Sequence, residues 1–269
     1  MAKPETSLTL IGGGRMGSAL AGGWISTGGL SSIGIVDPDP SQTLTDWEAA
    51  GKITLNPPAA PADTLVIAVK PQVFPKVADS LTAYIGPKTD VLSIMAGIPL
   101  DQLAETLGTT RVARAMPNTP GLIGKGVAIL SMGRGTDTAM ADKMRDLLAP
   151  LGLVEGPVTE AQLTSATAIS GCGPAYLFLL AEVMAGAGAS SGLDPDFAAR
   201  IARATVEGAA ALMAESEDSP ETLRRNVTSP NGVTQAALDV LMDAKGMPSL
   251  MREAVRAAIT RDKELARGS

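Results

Sequence analysis

Leu8-Thr9-Leu10-Ile11-Gly12-Gly13-Gly14-Arg15-Met16-Gly17 is the stretch that decides the fold, because it joins an apolar strand to spaced glycines. Gly12 would permit a tight turn, Gly14 would let a pyrophosphate approach the backbone, and Gly17 would let the next helix pack closely on the sheet. Helical residues, Ser18 to Ile25, follow, and their N-terminus would face the phosphates. The order strand, glycine loop, helix predicts a dinucleotide site, although glycines that only form a turn remain the alternative.

An acidic segment follows the second predicted strand. Asp37-Pro38-Asp39-Pro40 lies where a carboxylate would hydrogen-bond the adenosine ribose hydroxyls, 25 positions after Gly12. Asp37 would favour NADH and repel a 2′-phosphate, whereas an Asp before proline is also an ordinary turn former. The choice between NADH and NADPH therefore stays open.

Alternation of β-rich apolar runs with helical stretches continues to about residue 155. It predicts a parallel sheet with helices on both faces, that is, an α/β Rossmann-type N-terminal domain over residues 1–158. The predicted strands are Leu8 to Ile11, Ile33 to Val36, Leu65 to Val69, Val91 to Ile94, Val112 to Ala115 and Val127 to Leu130.

The remaining residues, 159–269, have Ala, Leu and Met at helical spacing and predict an all-α C-terminal domain. The predicted helices cover 173–191, 196–215, 232–243 and 248–265. So small a helical domain would leave apolar faces uncovered in a monomer. We therefore expect a homodimer or a larger symmetric assembly.

Composition excludes several classes of protein. The net charge is −6 and the 22 basic residues are scattered, so nucleic acid is an unexpected partner. A lone cysteine, Cys172, and the absence of histidine argue against a transition-metal site. We find no apolar run of the roughly 18 to 20 residues that a bilayer span needs, nor an apolar signal core near the N-terminus. The sequence thus indicates a soluble cytoplasmic protein without a membrane partner.

Four further motifs occur in order. They are Ala68-Val69-Lys70-Pro71-Gln72, Ala115-Met116-Pro117-Asn118-Thr119-Pro120, Ser170-Gly171-Cys172-Gly173-Pro174-Ala175-Tyr176 and Val227-Thr228-Ser229-Pro230-Asn231-Gly232-Val233-Thr234. Together with the glycine loop, they closely resemble the pyrroline-5-carboxylate reductase family. The resemblance runs from residue 8 to about 243 and implies NAD(P)H-dependent reduction of 1-pyrroline-5-carboxylate to L-proline. It also implies a helical dimerisation domain, often assembled as a pentamer of dimers, with both subunits contributing to each site.

The resemblance places the cofactor, NADP(H) or NAD(H), on residues from both predicted domains. For Lys70 a solvated strand-end lysine, and for Asn118 a purely structural turn, remain alternatives. The cofactor-binding positions carried over are Gly12, Gly13, Gly14, Arg15, Met16, Gly17, Asp37, Pro38, Asn56, Val69, Lys70, Pro71, Ala96, Asn118 and Asn226.

The loop before the helix Gln235 to Leu241 is the predicted substrate site, because free N–H groups at a helix start suit a carboxylate. By resemblance Thr234 lies beside the ring nitrogen and is the expected catalytic residue, with a helix-capping threonine as the alternative. The expected substrate-binding residues are Ser229, Asn231, Gly232, Val233, Thr234 and, more distantly, Glu160, for which a solvated surface glutamate is the default.

Three positions depart from the family pattern. Cys172 stands where a serine is usual, Asn231 replaces a glycine, and Val233 replaces a small or hydroxylated residue. Asn tolerates unusual backbone angles, so the loop should keep its shape. Two rivals stay open: a related two-domain reductase that acts on a hydroxy acid or a different imine, and a nucleotide-sensing protein without catalysis. Hydroxy-acid enzymes of this kind commonly have a catalytic lysine early in the helical domain, and residues 160–176 contain none. This absence argues against the hydroxy-acid reaction but leaves a different cyclic imine open.

Overall fold

The computed structural model describes residues 7–28 and 30–267 and contains one eight-stranded sheet in the order β3-β2-β1-β4-β5-β6-β7-β8. All six predicted strands are present, and two further ones, β3 and β8, were not predicted. The strands are β1 Ser7–Ile11, β2 Ser32–Val36, β3 Thr54–Leu55, β4 Thr64–Ile67, β5 Asp90–Ser93, β6 Val112–Met116, β7 Gly126–Met132 and β8 Gly152–Glu155.

The sheet is parallel except where β7 runs antiparallel to β6, with Ala115 opposite Leu130. The predicted parallel sheet is therefore present, with one antiparallel pair that was not predicted. Only a 3-10 turn, Thr119–Ile123, lies between the two strands. A parallel pair needs a crossover of a dozen or more residues, so this short link reverses the chain instead.

Helices cover both faces of the sheet, as predicted. Alternate strand residues point to opposite faces, so Leu10 packs with Leu20 of α1 and Met144 of α5, while the neighbouring Ile11 packs with Phe74 of α3. The helices of this part are α1 Arg15–Thr27, α2 Gln42–Ala49, α3 Phe74–Leu81, α4 Leu100–Leu107, α5 Thr138–Leu148 and α6 Glu160–Ser170.

The chain divides into two structural units. One contains the residues up to Gly171 together with those from Ile259, and the other spans Cys172–Ala258. In this division α6 belongs with the sheet, whereas the boundary predicted after residue 158 assigns it to the helical domain. That boundary stays a prediction.

The second unit is built from helices, four of which match the predicted segments to within a few residues; α9 was not predicted. Asp194 caps α8 by accepting a hydrogen bond from the Phe197 amide at 2.9 Å, and Pro195 occupies the first turn. The helices are α7 Gly173–Ser190, α8 Pro195–Glu215, α9 Pro220–Asn226, α10 Val233–Leu241 and α11 Met247–Arg267, whose last turns belong to the first unit.

Large apolar side chains of the second unit are exposed in the single chain. Phe178 on α7 is 69% exposed, and among the described residues of this unit only Ala198 and Ala202 are buried apolar residues. By length and composition the stretch 160–190 could cross a membrane, which corrects the expectation that no such stretch exists; 6% of its most apolar window is buried. A helix that is apolar all round needs a covering surface.

Candidate active site

The glycine loop has the geometry that its sequence predicts. Gly12 has φ +98°, its amide donates to the Val36 carbonyl at 2.9 Å, and a Cβ there would lie 2.9 Å from the Ala68 carbonyl oxygen. A Cβ on Gly17 would collide with the Gly12 carbonyl oxygen. These two glycines are therefore required for close packing of the loop, β4 and α1.

Gly14 differs from its neighbours because a Cβ there would meet no atom within 4 Å. It is the N-cap of α1 with extended backbone, and no side chain caps the helix. The first-turn N–H groups are thus unsatisfied by side chains, and the helix dipole favours an anion there. This open, uncapped helix start fits a pyrophosphate, with exposed Arg15 and half-buried Met16 beside it.

Asp37 is tied to the glycine loop by its own carboxylate. Oδ2 accepts a hydrogen bond from the Gly13 amide at 2.6 Å, and Oδ1 accepts one from the Asp39 amide at 2.9 Å. The Asp37 amide donates to Oδ1 of Asn56 at 3.0 Å, and Asn56 has φ +46°. Asp37, Asn56 and the glycine loop therefore form one hydrogen-bonded group, with Pro38 directly after Asp37.

The carboxyl ends of β1, β2, β4 and β5 lie at one edge of the sheet, and the predicted cofactor positions 12–17, 37–38, 69–71 and 96 follow them. The Ala68 amide donates to the Ile11 carbonyl at 2.8 Å, which aligns the end of β4 with the glycine loop. Beyond it Val69 is half-buried and Lys70 is exposed, and Pro71 follows; Ala96 is exposed beyond β5. In open α/β sheets ligands bind outside this edge, so the placement suits a nucleotide.

Asn118 uses its side-chain amide inside the protein. Nδ2 donates to the Ser170 carbonyl at 2.9 Å, and Oδ1 accepts from the Val127 amide at 2.8 Å. The residue is 9% exposed and fastens the end of α6 to the loop after β6. Contact between Asn118 and the cofactor stays a prediction, and it would be additional to this structural role.

Glu160, expected near the substrate, forms an ion pair with Arg114 at 2.8 Å and also accepts a hydrogen bond from the Leu100 amide at 3.2 Å. The Arg114 side chain is 9% exposed and that of Glu160 is 35% exposed. Sequence reasoning missed Arg114. A lone cation in the apolar strand Val112–Met116 was the available signal, because a buried charge requires a partner.

The predicted substrate loop lies in the second unit, between α9 and α10. Asn231 has φ +57°, as its side-chain type allows, and Gly232 is the N-cap of α10 without a side-chain cap. Thr234 is exposed in the first turn and does not cap the helix, so the capping alternative is wrong. Val233 is 90% exposed, and Ser229 and Asn226 are exposed as well.

Gly232 also controls the shape of this loop. Its amide donates to the Ser229 carbonyl at 3.0 Å, and a Cβ on Gly232 would collide with Oγ of Ser229. The turn thus places the serine hydroxyl close to the start of α10. Uncapped N–H groups and a nearby hydroxyl are suitable partners for a carboxylate.

Cys172 is a free, half-buried thiol at the N-cap position of α7. Burial raises the pKa of the Tyr176 phenol, and the adjacent Cys172 thiol raises it further through charge and a side-chain hydrogen bond. The two side chains therefore form a local pair one turn apart. Among the described residues, no group of three or more His, Cys, Asp or Glu side chains could hold a metal ion.

Comparison with known proteins places this geometry among characterised folds. The family "Pyrroline-5-carboxylate reductase dimerisation" matches residues 160–265, and "NADP oxidoreductase coenzyme F420-dependent" matches residues 7–97. A pyrroline-5-carboxylate reductase of Pseudomonas aeruginosa is 37% identical over 267 residues, covering 96% of each chain. One of Corynebacterium melassecola is 34% identical and covers 97% of this chain and 99% of its own.

Solved structures agree. A pyrroline-5-carboxylate reductase of Coxiella burnetii superposes with a TM-score of 0.87 at 31% identity, covering 97% of this chain and 99% of its own. A pyrroline carboxylate reductase of Plasmodium falciparum, solved with NADP bound, superposes with a TM-score of 0.80 at 26% identity, covering 98% and 100%. The similarity therefore extends over both units.

Proposed function

The chain belongs to the pyrroline-5-carboxylate reductase family, and from this premise we propose which of its residues perform the reaction. The reaction is the NAD(P)H-dependent reduction of 1-pyrroline-5-carboxylate to L-proline, the last step of proline biosynthesis. The observation that carries the proposed site is the open side of Gly14 at the uncapped start of α1.

The pyrophosphate of the cofactor would lie on the first-turn amides of α1. Gly12 and Gly17 leave no room for a side chain, whereas Gly14 leaves space that a methyl group would fill. Arg15 and Met16 would border the phosphates, Asp37, Pro38 and Asn56 the ribose, and Val69, Lys70, Pro71, Ala96, Asn118 and Asn226 the remainder. When bound, the dihydronicotinamide supplies the hydride that the imine carbon accepts.

The substrate carboxylate would be bound at the start of α10. Its N–H groups have no side-chain cap, and the positive end of the helix dipole attracts an anion. Ser229, Asn231, Gly232 and Val233 form the turn that leads to these amides. The loop thereby fixes one end of the substrate and orients the ring.

Thr234 would orient the ring nitrogen through its hydroxyl. A cyclic imine is basic enough to bind already protonated, so the protein needs a positioned hydroxyl rather than a strong acid. Thr234 is exposed and takes no part in capping α10, which leaves its hydroxyl available for the substrate. This role is compatible with a chain that contains no histidine.

Glu160 would support the site indirectly, through the residues that it binds. Its carboxylate oxygens are bound by Arg114 and the Leu100 amide, so we propose that it positions the start of α6 rather than touching substrate.

The chain forms an oligomer through its helical domain. We propose a pentamer of dimers, ten copies of the 27.3 kDa chain, in the cytoplasm. The exposed apolar side chains of α7 support subunit contact there, because water would otherwise surround them. If another subunit covers α7, this contact also explains the apolar composition of the helix, and no membrane is needed to cover it.

The direct test mixes purified protein with 1-pyrroline-5-carboxylate and NADH or NADPH, follows dihydronicotinamide absorbance and identifies the product. We expect oxidation of the dihydronicotinamide with stoichiometric proline. A matched reaction with Gly14→Ala should be much slower under the same conditions. Absence of proline with both cofactors would contradict the function.

A further inference from the structure

We propose that Asp37 makes this chain select NADH over NADPH. The inference rests on the proposed cofactor site and concerns its adenosine end. The relative solved with NADP bound has the same fold, so the fold alone does not exclude a 2′-phosphate. Selection must come from the side chains that follow β2, where an acidic residue binds the unmodified ribose.

The Asp37 carboxylate is held in a fixed position. The Gly13 amide donates to Oδ2 at 2.6 Å and the Asp39 amide donates to Oδ1 at 2.9 Å. Its backbone amide is in turn bound by Asn56 at 3.0 Å. Two hydrogen bonds to its oxygens keep this charge beside the second glycine of the loop, and the bond from the backbone amide to Asn56 holds the main chain in place.

The hydrogen-bonding capacity of this carboxylate matches a ribose diol. An ionised carboxylate offers about four acceptor positions. Two of these are occupied by the amides of Gly13 and Asp39, which leaves about two for hydroxyl donors. The adenosine ribose of NADH presents two hydroxyls, whereas a 2′-phosphate presents acceptors and a charge of about −1.5 to −2 at neutral pH. NADPH would therefore replace a hydrogen bond with like-charge repulsion.

The segment after β2 offers no compensating cation. Residues 37–48 contain Asp37, Asp39, Asp46 and Glu48 but neither lysine nor arginine. A 2′-phosphate site ordinarily uses an arginine in this region. Arg15 begins α1, on the side proposed for the pyrophosphate. The acidic segment thus reinforces the selection by Asp37.

The test measures binding directly, by calorimetric titration of NADH and NADPH into the wild-type protein. ADP-ribose and 2′-phospho-ADP-ribose, titrated in parallel, isolate the adenosine end. We expect the unphosphorylated member of each pair to bind at least about tenfold more tightly, as expected for juxtaposed like charges. Asp37→Ser should reduce this ratio to about one or reverse it. Asp146→Asn, the same loss of charge at an exposed site on α5, should keep the wild-type ratio.

Two results would overturn the proposal: equal or tighter binding of the phosphorylated ligands by wild-type protein, or an unchanged ratio in a folded Asp37 variant. Asp37→Asn, which keeps an acceptor and the side-chain shape, provides a second variant if Asp37→Ser has a much lower melting temperature than wild type. Failure of wild-type protein to bind either cofactor would instead contradict the proposed site. Binding without proline formation would contradict only the proposed chemistry.

Discussion

Nη1 of Arg114 lies 2.8 Å from Oε1 and 2.9 Å from Oε2 of Glu160, so one guanidinium nitrogen bridges both carboxylate oxygens. The pair joins the third residue of β6 to the first residue of α6. It therefore holds the start of α6 against β6. Because Arg114 is nearly buried, the carboxylate is the group that neutralises it.

Glu160→Gln should destabilise the protein with little effect on substrate affinity. The variant leaves the Arg114 charge without its partner, and partial exposure of Glu160 reduces the cost to about 2 kcal/mol. Denaturant unfolding and steady-state kinetics check this, with exposed Glu155→Gln on β8 as the control. An increase in KM for pyrroline-5-carboxylate without loss of stability would instead place Glu160 at the substrate.

Gly14→Ala should fold normally and bind the cofactor poorly. The added methyl group meets no protein atom within 4 Å, but it would point into the space proposed for the pyrophosphate. We expect an unchanged melting temperature and a loss of roughly 10- to 100-fold in NADH affinity. Gly17→Ala is the comparison, since its methyl group collides with backbone and should lower the melting temperature. Wild-type affinity in folded Gly14→Ala would contradict the assignment.

Local patterns made most of the fold predictable. The glycine loop, the six predicted strands and the helices α7, α8, α10 and α11 each depend on residues adjacent in sequence. The strands β3 and β8 were missed because β3 has two residues and β8 alternates exposed and half-buried positions. The direction of β7 was not predicted, because it depends on the short connection from β6 rather than on the sequence of the strand itself.

The candidate site was predictable only in part, because only some of its contacts join residues at a fixed spacing in the sequence. Gly13 and Asp37 belong to a motif with fixed spacing, and the structure joins them by a hydrogen bond. Glu160 pairs with a residue 46 positions away, and Asn118 with one 52 positions away. A single sequence carries no spacing rule for such partners, so neither Arg114 nor the Ser170 carbonyl was foreseen as a partner.

Thr234→Ala should lower turnover without changing stability. The hydroxyl caps no helix and the residue is exposed, so the folded state loses little when it is removed. A hydroxyl that holds the protonated imine in the correct orientation for hydride transfer contributes about 10²-fold, and we expect kcat to fall by that order. Thr234→Ser, which keeps the hydroxyl, should restore most of the activity. Equal activity of the alanine and serine variants would exclude the role.

Asp63→Asn should change how stability depends on pH. Hydrogen bonds from the Ser7 amide and hydroxyl lower the pKa of Asp63 below its ordinary 3.8, and Lys143 lowers it further. The ionised form is thus the stabilising one; its contribution is present above pH 3.8 and is lost as pH falls through the lower folded pKa.

Melting temperatures of wild type and Asp63→Asn at about pH 6 and about pH 3 check this expectation. The difference in melting temperature between the two proteins should be small at the higher pH, since Asp63 is exposed. It should become smaller still at the lower pH. Asp79→Asn, an exposed position on α3, is the control. A difference that grows on acidification would contradict the sign of the shift.

Phe178→Asp should dissociate the oligomer. Phe178 is 69% exposed in the single chain, on a helix whose only charged residue is Glu182, and a charge buried at Phe178 would be uncompensated. Light scattering should give 27.3 kDa for the variant and a multiple of that mass for the wild type. Ile123→Asp, at an exposed apolar position of the first unit, should stay assembled. If Phe178→Asp kept the wild-type mass, α7 would not be a subunit interface, and its apolar surface would need another partner.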